Sequence, residues 1–243
     1  MPRPIILTDE IKRKTQEEFS AMLDSMKMSD GKLSYIRSYE YKDCFAIVWI
    51  ELEAYRKIVA LVMEFDDEVG WHGTVSRKGE HEFVIEDVFI YPQEVTSSAV
   101  NTDQFAYSEW LYGLDDKIFN KIRMQGHSHV NMGVHPSSVD NEHRTQILDQ
   151  LEEDMFYIFM VWNKALIVHT LVYDMQRNIL YEDKDVDVRL LGDEIMSDFL
   201  MDAKIKVQKS ISKKKSGGKN NRKSKQLKIA DDFKYYKCYG HIV

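Results

Sequence analysis

Between positions 155 and 173 the chain reads Met-Phe-Tyr-Ile-Phe-Met-Val-Trp, then Asn163-Lys164, then Ala-Leu-Ile-Val, His169-Thr170 and Leu-Val-Tyr. Nothing else in the sequence restricts the fold as much. The polar interruptions leave it short of the roughly 20 uninterrupted apolar residues that a membrane-spanning helix needs. Two apolar runs of strand length around a polar pair predict two buried strands joined by a turn at Asn163 and Lys164. The segment therefore belongs to the buried part of the fold.

With 243 residues, 44% hydrophobic and 30% charged, the chain can bury a full core without disulfide or metal staples. Cys44 and Cys238 are its two cysteines, which excludes a disulfide framework, a four-cysteine zinc site or an iron–sulfur cluster built within one chain. A reducing, cytoplasmic compartment is expected, since no secretion signal is read before Asp9 and Glu10. The net charge of -7 conceals two unlike regions. Residues 204–230 hold eleven lysines or arginines and no acid, and all 40 acidic residues lie elsewhere. This segment, with Ser-Gly-Gly-Lys-Asn-Asn inside it and an aromatic end (Phe233, Tyr235, Tyr236, Tyr239), reads as a flexible basic tail over 204–243.

Apolar spacing divides the rest. Thr8 can cap a helix carrying Ile11, Phe19, Met22, Leu23 and Met26, which makes residues 1–30 a helical extension. Over 31–203, strand patterns are expected at 33–38, 43–50, 69–77, 82–91, 121–129, within 155–173, and at about 178–184. Helices are expected from Leu52, after Thr102, near Ser137 with Val139, Ile147, Leu148 and Leu151 on the buried side, and from about Asp193. Such an order has no sustained strand–helix–strand alternation, and it predicts an α+β fold with a sheet covered by helices.

One segment carries chemistry: Gly126-His127-Ser128-His129, a seven-residue loop, then Ser137-Ser138-Val139-Asp140. Strand side chains alternate, so His127 and His129 share a face and can share a metal ion. Asp140, in the first turn of the next helix, can reach back as a third ligand. Two histidines, a carboxylate and a water form a catalytic zinc set with one open position. The plainer reading of Ser137 and Asp140 is a helix capping box. No His-Glu-x-x-His, deaminase Pro-Cys-x-x-Cys, P-loop or dinucleotide fingerprint occurs.

His-x-His-x7-Ser-x-x-Asp resembles the signature of the JAMM metalloproteases, also called MPN+ or JAB domains, with every spacing intact. The resemblance spans about 33–181 and is strongest to the prokaryotic and phage type. It implies a mixed, mostly antiparallel sheet flanked by helices, of cytidine-deaminase-like architecture. It also implies one Zn2+ per chain on His127, His129 and Asp140, and an upstream glutamate, here Glu68 in Glu-Val-Gly-Trp-His-Gly, as proton shuttle. Ser137 would stabilise the oxyanion. The implied reaction is hydrolysis of a peptide or isopeptide bond in a protein or peptide substrate, ubiquitin-like conjugates included. Val130 stands where the family commonly has proline, and Trp71 where a second glycine is frequent. An alternative is a non-catalytic MPN-type scaffold that recruits partners through its tail. In a further reading the tail binds nucleic acid, salt-sensitively and without sequence preference. His72, His135 and His143 are not expected as ligands, and Ser128 is turned away from the two histidines.

Overall fold

A computed structural model describes residues 1–25, 39–41, 44–96, 99–192 and 194–206. The strand expected at 33–38 and the basic segment beyond 206 with its aromatic end lie outside the described residues.

The chain forms α1 (Asp9–Ser25), β1 (Ala46–Ile50), α2 (Leu52–Glu64), β2 (Gly70–Arg77), β3 (Glu82–Ile90), β4 (Glu94–Thr96), β5 (Ala99–Asn101), α3 (Gln104–Tyr112), α4 (Asp116–Phe119), β6 (Ile122–Ser128), α5 (Ser138–Leu148), β7 (Phe156–Trp162), β8 (Val168–Asp174), β9 (Ile179–Tyr181), a 3-10 turn (Asp183–Asp185), β10 (Val186–Leu190) and α6 (Glu194–Lys206). Eight strands make one mixed sheet in the order β10-β1-β3-β2-β6-β7-β8-β9, and β4 pairs with β5 separately. Four of the seven pairings are antiparallel; β10 with β1, β1 with β3, and β6 with β7 are parallel. The sheet is thus mixed and mostly antiparallel, with helices against it, as an α+β chain requires. It curls strongly: Tyr181 on edge strand β9 hydrogen-bonds His81 just before β3 at 2.7 Å. No helix among the described residues is long and apolar enough to cross a membrane.

The apolar run is explained by burial on both faces. Ile158, Met160 and Trp162 of β7 and Val172 of β8 point into the main core, where Ala54, Ile58 and Val62 of α2 meet the sheet. Tyr157, Phe159, Leu171 and Tyr173 point the other way, under Ile147, Leu148 and Leu151 of α5 and the loop after it. Strands covered on both faces lose the apolar–polar alternation. Each fully buried large apolar side chain contributes about 1.5–3 kcal/mol.

Local signals account for most element ends. Thr8 Oγ1 accepts the Ile11 N–H at 3.3 Å and starts α1. The helix expected after Thr102 is two helices, each with its own aspartate cap: Asp103 accepts the Ala106 N–H and Asp115 the Lys117 N–H. The expected burial of Val139 is wrong. It is 67% exposed, because α5 lies on the sheet with its C-terminal half and leaves its first turn at the rim. The β4–β5 hairpin and β10 were not expected from the sequence.

Candidate metal centre

β6 lies mid-sheet between antiparallel β2 and parallel β7. Its burial alternates, with Met124, Gly126 and Ser128 inward and Gln125 and His127 on the α5 side. A side chain on Gly126 would collide with the indole of Trp71, which is fully buried, so the strand ahead of the histidines passes close over the core. Because β7 runs parallel to β6, the chain must cross over through α5. The loop and helix start therefore gather at the carboxyl end of β6, where open sheets commonly bind ligands.

There the predicted ligands converge. Nε2 of His127 is 3.0 Å from Nε2 of His129, and these atoms lie 3.2 and 3.4 Å from Oδ1 and Oδ2 of Asp140. Donor atoms around a tetrahedral zinc, with bonds of about 2.0–2.1 Å, sit about 3.3–3.4 Å apart. Atoms bearing lone pairs at this spacing need a proton or a cation between them. This group can hold a metal ion. His129 Nδ1 meets the Gly133 carbonyl at 2.8 Å, so in the neutral ring the hydrogen sits on Nδ1 and Nε2 offers its lone pair. With no cation bound, the hydrogen bond to Asp140 raises the His129 pKa, against the opposing effect of burial. Burial alone would raise the Asp140 carboxyl, but hydrogen bonds from both histidines outweigh it and hold Asp140 far below the usual carboxylate range.

Asp140 reaches the site because the capping box aims it. Ser137 Oγ accepts the Asp140 N–H at 3.2 Å, and Asp140 Oδ2 accepts the Ser137 N–H at 2.6 Å. The cap and the ligand are thus one arrangement. Ser137 is exposed beside the site, and the bond it accepts leaves its hydroxyl hydrogen for another partner.

Glu68, just before β2, is 6% exposed. Burial raises its pKa, while the charges of His129 and then His127 pull the other way, so its carboxyl lies within electrostatic reach of the ligand set. Its N–H donates to Thr96 of β4 at 3.0 Å, a support that the sequence did not reveal. A second support is Ser128. This side chain is 1% exposed; its Oγ accepts the Val69 N–H at 3.1 Å, and its own N–H donates to the Val69 carbonyl at 2.9 Å. Ser128 points away from the face that carries the two histidines, as strand parity predicts, and fixes the backbone next to Glu68. Ser128→Ala is expected to leave a buried N–H unpaired and cost about 1–3 kcal/mol. Thermal denaturation should show the loss while metal content, measured on the same sample, stays unchanged.

The loop is braced by the turn that interrupts the apolar run. The Asn163 side chain, largely buried, donates to the Met132 carbonyl at 3.1 Å and accepts the N–H groups of Ala165 and Ile167. Lys164 N–H donates to the Val130 carbonyl at 2.7 Å. Between these supports Val130 has φ 45°, a left-handed conformation costly for a β-branched residue. Proline, with φ locked near −65°, does not fit this backbone.

The other histidines separate clearly. His72 is 5% exposed among Tyr91, Tyr107 and Trp110, bonds the Tyr107 hydroxyl at 2.8 Å, and is pushed down to about 4 by burial. It is a packed neutral residue. His135 is exposed beside His169. His143 sits on α5 one turn past Asp140, bonded to Gln125 at 3.2 Å, and lines a pocket with His127 and Asp140.

No protein-family model matches the chain, and no curated protein matches it.

Proposed function

We propose that this protein is a zinc-dependent hydrolase of peptide or isopeptide bonds, a member of the JAMM (MPN+, JAB domain) family with the corresponding sheet architecture. The observation that carries the proposal is the convergence of His127, His129 and Asp140 at the spacing of a tetrahedral ligand set, beside a buried glutamate. Nε2 of each histidine and a carboxylate oxygen would hold the ion, a donor set that zinc accepts with a position to spare. When bound, zinc lowers the pKa of a coordinated water towards about 7.

The chain's own groups do the rest. Glu68 takes the proton from the attacking water and delivers it to the departing amine. One carboxyl can serve both steps if its pKa is lifted above the ordinary range, the direction in which burial moves it. The hydroxyl hydrogen of Ser137 is donated to the oxyanion as charge develops there. Ser128 and Thr96 hold the Glu68 backbone at a fixed distance from β6.

Metal analysis of the purified full chain should find one zinc per molecule. Cleavage of peptide substrates and of isopeptide-linked ubiquitin-like conjugates should stop on chelation and return with zinc. Absence of a bound equivalent would overturn the proposal, and stoichiometric zinc with no turnover on any such substrate would favour a scaffold.

A further inference from the structure

The pocket next to the ligands has two unlike parts. Its floor is apolar, from Phe159 and Val161 of β7 and Leu171 of β8; its wall is polar, from Gln125, His143 and Arg144. Arg144 is one turn after Asp140 and so shares its side of α5. Its Nη2 donates to Asn141 Oδ1 at 2.7 Å, and the guanidinium lies 6.0 Å from the centre of the Tyr173 ring. Among the described residues it makes no ion pair, although acidic residues outnumber basic ones in this chain. A guanidinium held in place by a neutral amide and an aromatic ring, at the wall of a pocket that also touches two metal ligands, keeps its charge-assisted hydrogen bonds for a visitor. A single planar cation above an apolar floor fits a monoanion on a short aliphatic stem. A phosphate would call for several cations.

We propose that Arg144 anchors a carboxylate on the substrate residue that flanks the scissile bond, which makes the enzyme selective for an acidic side chain or a free chain terminus at that position. This rests on the hydrolase reading and names its substrate class. The carboxylate can come from either source, and the test separates them.

Peptides and conjugates carrying glutamate, glutamine or lysine on either side of the cleaved bond, and pairs ending in a free carboxylate or its amide, would be compared by kcat/KM. One anionic partner should be preferred by about tenfold or more over its neutral counterpart. Arg144→Gln should abolish that preference while leaving cleavage of neutral substrates unchanged, Arg144→Lys should keep part of it, and Arg144→Glu should invert it towards lysine. Independently of turnover, N-acetylglutamate amide, N-acetylglutamine and N-acetylglutamine amide would be titrated into the full-length protein as purified and followed by NMR. At least one of the two carboxylates should bind severalfold tighter than the neutral amide, and Arg144→Gln should remove the difference. Equal cleavage of acidic and neutral substrates overturns the inference and leaves the hydrolase reading standing. If nothing is cleaved, that reading fails, and the titration still decides whether Arg144 binds carboxylates; equal binding of all three probes overturns the inference.

Discussion

Glu68→Gln is expected to lower turnover by about 10²- to 10⁴-fold while the protein keeps one equivalent of metal. Glutamine preserves the size of the side chain and can occupy the same buried place, so the backbone held by Ser128 and Thr96 has no reason to move. What is lost is the ability to accept a proton and release it. Because Glu68 is buried and its pKa is raised by desolvation, the neutral amide is also no harder to bury than the carboxylate it replaces. Thermal stability should therefore hold or rise slightly, and the unfolding midpoint measured beside kcat checks this. Turnover within about tenfold of the unsubstituted protein would remove Glu68 from the proposed proton path.

Asp140→Ala should have the larger effect on binding. It removes one of three ligand side chains, and loss of a mere outer partner of a metal ligand already lowers affinity by about 10- to 100-fold. A drop beyond about 100-fold is expected, read by competition with a chromophoric chelator. The same substitution also breaks the capping box, at a cost of about 0.5–2 kcal/mol. Ser137→Ala separates the two consequences: it weakens the cap but leaves all three ligands, so it should lower the unfolding midpoint while the zinc equivalent stays. Equal metal loss in both variants would mean that the site depends on the helix start as a whole rather than on the Asp140 carboxylate.

The sequence made the candidate metal group legible because its three residues lie within fifteen positions, on a strand, a loop and a helix turn whose local rules are strong. Alternation placed His127 and His129 together, and the capping signature placed Asp140 at the helix start. The supports were less visible because they act across long separations. Ser128 holds Val69 across 59 positions, and Asn163 holds Met132 across 31. Asn163 did leave a trace, as a polar residue within an apolar run, but a turn explained it fully. Val139 misled because its spacing in the helix matches that of Ile147, while only the later turns of α5 reach the sheet. β4 and β5 are three-residue strands, too short to show a period, and the five-residue β10 pairs with β1, far back in the chain.

The carboxylate oxygen of Asp140 that closes the helix cap is the same one that faces His129. Ion uptake at the proposed site and winding of the first α5 turn would therefore be reciprocally linked, each shifting the other's midpoint by the same free energy. Residues 138–144 should accordingly exchange their amide hydrogens faster after chelation than the rest of the helix. Arg144 follows on the next turn, so loosening of the helix start on loss of the ion would reach the pocket wall proposed to anchor a carboxylate.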